Sequence, residues 1–214
     1  IGCHEIEKRG GYIRKYYQEN PTLAPPILNG EGEKVQSNWF FSFLKAPVPI
    51  RPWLELRMPT FGLSDEHTNQ LIGFFNGIAK VDIPFAYIDD KKIPPEHIEA
   101  AKQLVSKDYF NCFSCHQQGD KKPEGPVEGW APDLTLARQR LNPNWILKWL
   151  KDPQKVQPGT KMPSFYPGGP DNILGGKEDL QIEALRDYLM SIGRGAPAAA
   201  SSPATVAKAK PVRP

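Results

Sequence analysis

Five consecutive residues, Cys112-Phe113-Ser114-Cys115-His116, carry the clearest chemistry in the chain. Two thiols three positions apart can each form a thioether with one vinyl group of a porphyrin. The histidine that follows at once is then held under the ring, where an imidazole nitrogen can bind the iron. C-x-x-C-H is the attachment signature of a c-type haem. A redox C-x-x-C, or half of a zinc site, is the alternative reading of the same residues. What weighs against that alternative is a second, damaged copy of the motif. The chain opens Ile1-Gly2-Cys3-His4, which becomes C-I-G-C-H if one Cys precedes it. The three cysteines are also one short of the four that two motifs need. The sequence is therefore expected to begin inside a longer protein, after the first Cys of its first motif. The competing reading is a true N-terminus with a single-cysteine haem, or none.

The elements around these motifs repeat. Pro25-Pro26-Ile27-Leu28 aligns with Ala131-Pro132-Asp133-Leu134 at an offset of 106. Without a gap, Trp39 then falls on Trp145, Phe43 on Trp149, Leu44 on Leu150, Lys45 on Lys151 and Pro47 on Pro153. Arg57-Met58-Pro59-Thr60-Phe61 resembles Lys161-Met162-Pro163-Ser164-Phe165 after a two-residue shift. A pattern of this length at one offset implies duplication of a small domain. An isolated Met is ordinarily core filler. Two of the chain's three Met share one basic-Met-Pro-hydroxyl-Phe frame, which favours a ligand role, because a thioether is a soft ligand suited to haem iron. The Pro after each Met would stiffen the loop that presents it. Met190 lies in a helical pattern and reads as core.

Helices are expected over Ser37–Lys45 and Asn144–Lys151, each stopped by the Pro that follows. Ser64 or Asp65 can cap a third, with Leu71, Ile72, Phe74 and Phe75 on its apolar face. Pro94-Pro95 opens a helix from Glu96 to about Lys107 that leads into Cys112, and its counterpart in the first unit would precede Ile1. The last helix runs from about Lys177 to Ile192, with Leu180, Ala184, Leu185, Tyr188 and Leu189 in helical spacing. Residues 81–93 have no clear period and read as a linker. Pro167–Gly176 reads as a tolerated Gly/Pro surface loop, although it could also shield a haem edge or meet a partner. From Arg194 the Ala/Pro/Ser/Lys composition reads as a disordered tail, 194–214.

Each unit resembles a class I cytochrome c: a leading helix, C-x-x-C-H, a P-x-L segment, a middle helix, a Met loop and a final helix. The resemblance implies an all-α fold of two tandem domains, 1–80 and 94–193, the first lacking its leading helix and first haem Cys. It implies two covalently attached haems c. Cys112 and Cys115 would form the thioethers of the second, with His116 and Met162 as axial ligands. Cys3 would be the surviving thioether of the first, with His4 and Met58 as ligands. Pro26 and Pro132 occupy the positions whose carbonyl accepts from the axial histidine's other ring nitrogen. Trp39 and Trp145 match a middle-helix aromatic near a haem propionate, though core packing explains them nearly as well. His67 and His97 are expected in solvent, with His97 as a replacement ligand the lesser reading. Lys121-Lys122 could steer an acidic partner, but a solvated loop is the better reading.

Composition bounds the function. The 214 residues are 39% hydrophobic and the formal charge is +3. The tail from Arg194 onward carries four bases and no acid, which leaves about −1 on residues 1–193. Nucleic acid is therefore not the expected partner, since a binding face should show a basic excess. No apolar run approaches the roughly 18 residues of a membrane span, and a membrane anchor could lie in the N-terminal part expected to be missing. The leading expectation is an electron-transfer protein, not an enzyme: a dihaem carrier, or a dihaem subunit of a respiratory complex with redox proteins or other subunits as partners. The family implies a periplasmic or outward-facing site. A dihaem enzyme such as a peroxidase would need an open sixth iron site, and both units offer a Met. A zinc-binding structural module leaves the repeat unexplained.

Overall fold

A computed structural model describes residues 2–81 and 88–193. The tail expected at 194–214 and residues 82–87 of the expected linker lie outside those residues. The first segment opens with a small antiparallel hairpin, β1 (Glu5–Ile6) and β2 (Arg9–Gly10). Its turn residues Glu7 and Lys8 both have positive φ, as a two-residue mirror-image turn demands. Three helices follow: α1 (Glu31–Lys34), α2 (Ser37–Lys45) and α3 (Asp65–Ala79). The second segment holds α4 (Pro95–Leu104), α5 (Ala137–Arg140), α6 (Pro143–Lys151), α7 (Pro153–Val156) and α8 (Glu178–Ile192). The all-α expectation holds, the hairpin being the sole sheet among the described residues. No helix of the described residues is long and apolar enough to cross a membrane.

Local chemistry sets the helix ends. The Ser64 hydroxyl accepts from the His67 N–H at 3.1 Å, and Asp65 and Glu66 stand in the first turn of α3, where negative charge meets the positive end of the helix dipole. Asn142 caps α6 through the Asn144 N–H, and Pro143 sits where its missing N–H is not needed. α4 stops three residues earlier than its sequence pattern suggests, because the Leu104 and Val105 carbonyls accept from the Phe110 and Cys112 N–H groups instead of from a further helical turn.

The buried apolar side chains form two clusters. In the second segment Ala100, Ala101 and Leu104 of α4 cross Ala184, Leu185 and Tyr188 of α8, and Trp145, Ile146 and Leu150 of α6 close the cluster. In the first, Phe40 and Leu44 of α2 meet Ile72 and Phe75 of α3 over Val35. Phe74, expected on the apolar face of α3, is 52% exposed. It lies one residue off the stripe of Ile72 and Phe75 that packs. Gly32 of α1 is buried against α3, and a Cβ there would meet the Phe75 carbonyl oxygen at 2.3 Å. Gly32→Ala is expected to push α1 off α3 and to destabilise the first segment by about 1–3 kcal/mol, read as a lower midpoint in urea unfolding.

Two stretches are more ordered than their sequence suggests. Residues 88–93, read as linker, pack on the second segment: Ile88 borders its core and Asp90 forms a two-pronged ion pair with Arg138, at 2.8 and 3.0 Å. In the Gly/Pro stretch 167–176, Ile173 is 3% exposed, and the buried Gln181 amide donates to the Pro170 and Ile173 carbonyls at 2.8 Å each. A buried Gln on α8 therefore fixes what had read as a free surface loop.

The segments meet along a short antiparallel contact between Val35 and Leu141. The Gln36 N–H donates to Arg140 O at 2.9 Å, and the Asn142 N–H donates to Lys34 O at 2.8 Å. At the 106-residue offset Val35 faces its own counterpart, Gln36 bonds the counterpart of Lys34, and Lys34 bonds the counterpart of Gln36.

Candidate haem site

The C-x-x-C-H stretch begins just after α4. The Phe110 N–H donates to Leu104 O and the Cys112 N–H to Val105 O, so the helix end holds the motif directly. Asn111 takes a left-handed conformation, which Asn tolerates better than most residues, and the chain turns sharply into a 3₁₀ turn at Cys112–Ser114. The Ser114 hydroxyl donates to Asn111 O at 2.7 Å, and the His116 N–H donates to Cys112 O at 2.9 Å. One tight turn thus carries both thiols and the imidazole.

His116 Nδ1 lies 2.8 Å from Pro132 O. A carbonyl oxygen only accepts, so Nδ1 must carry the proton, and Nε2 keeps its lone pair for a metal. Pro132 is held in place because the Ala131 N–H donates to Cys115 O at 2.7 Å and the Leu134 N–H to Gln117 O at 2.9 Å. Burial lowers the pKa of His116, although the bond to Pro132 and nearby Asp133 pull the other way. The neutral form, the one that ligates metals, is favoured. Burial pushes the Cys112 thiol up to about 11. Zinc ligation would need the thiolate, whereas a thioether carries no charge and suits a buried position. Among the described residues no three His, Cys, Asp or Glu side chains come together as a metal cage, and Cys3, Cys112 and Cys115 are free.

Met162 is partly buried, and both it and Cys112 border the second core. The Trp149 indole N–H donates to Met162 Sδ at 2.8 Å, which leaves the thioether its second lone pair. The Gln154 amide ties down the same loop, donating to Thr160 O at 2.8 Å and Met162 O at 2.9 Å. Neither Trp149 nor Gln154 had been read as a site residue. Trp149 had a signal in the repeat, as the partner of Phe43, whereas Gln154 falls where the first segment has Val48 and had none.

The first segment repeats much of this geometry. His4 Nδ1 lies 2.9 Å from Pro26 O, Cys3 is exposed, and Met58 borders the first core beside Trp39 and Leu28. Trp39 stacks on Phe43 at 4.8 Å and 17°, and Trp145 stacks on Trp149 at 5.1 Å and 19°. Trp145 is buried and Trp39 partly so.

The remaining histidines separate. His67 is exposed on α3 as expected. His97 is not in solvent: its Nδ1 lies 2.7 Å from the Asp187 carboxylate of α8, with side-chain exposures of 13% and 5%. The isolated position of His97 in sequence could not show that α8 supplies a buried acid 90 residues later. Lys121 and Lys122 are exposed.

Residues 98–193 match the family model described as cytochrome c. The second segment is thus a cytochrome c domain, which implies covalently bound haem c and electron exchange with redox partners. Over 92 aligned residues the chain is 32% identical to cytochrome c oxidase subunit 2 of Bacillus subtilis (strain 168), an alignment taking in 38% of this chain and 23% of that relative. The chain spans less than a quarter of that relative's length. No solved structure matches it.

Proposed function

We propose that the protein is a dihaem c-type cytochrome, with one His/Met-ligated haem in each of two tandem units, moving electrons as a carrier or as a subunit of a respiratory complex. One observation carries the reading: a histidine that follows a Cys and donates Nδ1–H to a prolyl carbonyl occurs twice, at His4–Pro26 and His116–Pro132. Each stands in its segment with a stacked aromatic pair and a Met-Pro loop at the core edge.

The residues present fit the group. Bound there, haem iron supplies a one-electron ferrous/ferric couple, and a His/Met axial pair raises its potential. The chain's own part is to hold. Cys3, Cys112 and Cys115 anchor by thioethers. Pro26 and Pro132 fix the tautomer and ring orientation of His4 and His116. Met58 and Met162 sit on loops at the edge of each core. Saturated ligation asks for little rearrangement as the electron comes and goes, which favours transfer over peroxidase chemistry. The oxidase-subunit name of the relative is in keeping with a place in a respiratory assembly, and attachment of haem c outside the cytoplasm with a periplasmic or outward-facing site.

The test is the denatured intact mass of the protein isolated from its source. Two covalent haems are expected. One haem would reduce the first unit to a degenerate partner, and none would sink the reading.

A further inference from the structure

Two positions at which the copies differ carry contacts that the other copy lacks. The first is the pair 32/138, related by the 106-residue offset. At this place the first unit has Gly32, which lets α1 lie against the backbone of α3. The second unit has Arg138 on α5, the counterpart of α1. Its guanidinium donates to Met190 O at 2.7 Å, near the end of α8, and to both carboxylate oxygens of Asp90 at 2.8 and 3.0 Å. A planar fork holds a carboxylate on two bonds, a geometry that lysine cannot copy. Arg138 thus ties the last helix to 88–93, the stretch by which the chain enters the second unit.

The second position is the pair 36/142. Asn142 uses its side chain within its own unit, capping α6. Gln36 is one methylene longer and makes no such cap for α2 among the described residues. Its amide crosses the junction and donates to Arg138 O and Leu141 O at 2.8 Å each. With the bond from its backbone N–H to Arg140 O, one residue of the first unit holds the α5 backbone at three carbonyls.

We infer that Gln36, Arg138 and Asp90 form a clamp through which the first unit keeps the stretch 88–93 docked on the second. The links follow in order. α5 spans four residues, Ala137–Arg140, and a helix this short does not hold its own path. Bonds from outside therefore decide where it aims Arg138, and Gln36 supplies them. Arg138 in turn holds Asp90. Docked, the stretch brings Ile88 to the edge of the second core. Released, it opens that edge to water. The clamp uses the repeat and not the number of haems, so it stands apart from the dihaem reading.

The test is amide hydrogen exchange of the haem-loaded full chain, followed by mass spectrometry. The reporters are the amides of Lys92 and Ile93, which donate to Asp89 O and Asp90 O while the stretch is folded. Arg138→Met is expected to speed their exchange about tenfold, the equivalent of one charge-assisted hydrogen bond. Gln36→Ala touches nothing in 88–93, yet it is expected to speed the same amides in the same direction, and to add nothing when combined with Arg138→Met. Asn142→Ala, at the matching position of the repeat, is expected to leave them at the wild-type rate. The Ile182 and Leu185 amides of α8 are the internal reference and should hold their rates in Gln36→Ala. Unchanged reporters in Gln36→Ala would mean that the stretch is held locally, and would overturn the clamp. Unchanged reporters in Arg138→Met would overturn it too. So would α8 amides that speed up in step with the reporters, since the variant would then have loosened the whole unit rather than released one stretch.

Discussion

If Met162 ligates the haem held by Cys112 and Cys115, as proposed, Met162→Ala is expected to lower that haem's midpoint potential while the haem stays attached. The two halves of this expectation rest on different residues. Attachment depends on Cys112 and Cys115, which lie in a turn tied to α4 by the bonds Phe110–Leu104 and Cys112–Val105, and the substitution touches none of these. In the proposed ligation the potential depends on the axial sulfur. Axial ligands span about 0.8 V across haem proteins, and exchanging a thioether for water or nothing removes the ligand that favours the ferrous state. The loop should keep its path, because Gln154 holds it by the backbone carbonyls of Thr160 and Met162 rather than by the Met side chain. The spectrum of the variant is expected to turn high-spin. Trp149→Phe is the graded control: it keeps the stack on Trp145 but deletes the N–H that points at Met162 Sδ. A hydrogen bond draws electron density from the sulfur, so its loss should lower the potential by less than removal of the sulfur does. An unchanged potential and a low-spin spectrum in Met162→Ala would exclude Met162 as the ligand.

The helices and the motifs were legible in the sequence because both are local. Ser64, Asn142 and Pro143 mark helix starts through their own bonding, and the 3.6-residue spacing of Ala184, Leu185 and Tyr188 marks a buried stripe. The repeat was legible because both copies lie in one chain. What could not be read depends on partners distant in sequence. His97 looked like a surface histidine until α8 brought Asp187 to it, and residues 88–93 looked like linker until Arg138 reached Asp90. By composition Gln181 is one more polar residue, yet it is fully buried and organises the Gly/Pro stretch through two carbonyls. Lys34 and Arg140 belong to this group as well. They sit on short helices with no apolar pattern, and only the meeting of the segments sets Lys34 over Trp145 and Arg140 over Trp39.

Leu104→Ala tests whether the fold and the site are coupled as the α4–α8 crossing suggests. Leu104 is fully buried between α4 and α8. Truncation removes its share of buried apolar surface and leaves a cavity, for an expected loss of about 2–5 kcal/mol. The upper end is the more apt. Its cluster mates Ala101 and Ala184 are already small and fully buried, so neither can fill the gap. The same residue holds the motif, since its carbonyl accepts from the Phe110 N–H, and the rings of Phe110 and Phe165 stack at 4.4 Å beside the Met loop. A looser α4 end therefore reaches both the thiol turn and the loop that presents Met162. The measurement is a guanidinium melt followed at two wavelengths, one for helix and one for the haem band. The expected result is a lower midpoint shared by both signals. A fall confined to the helix signal, with the haem band unmoved, would mean that the motif is held by its own turn and not by the helix that leads into it.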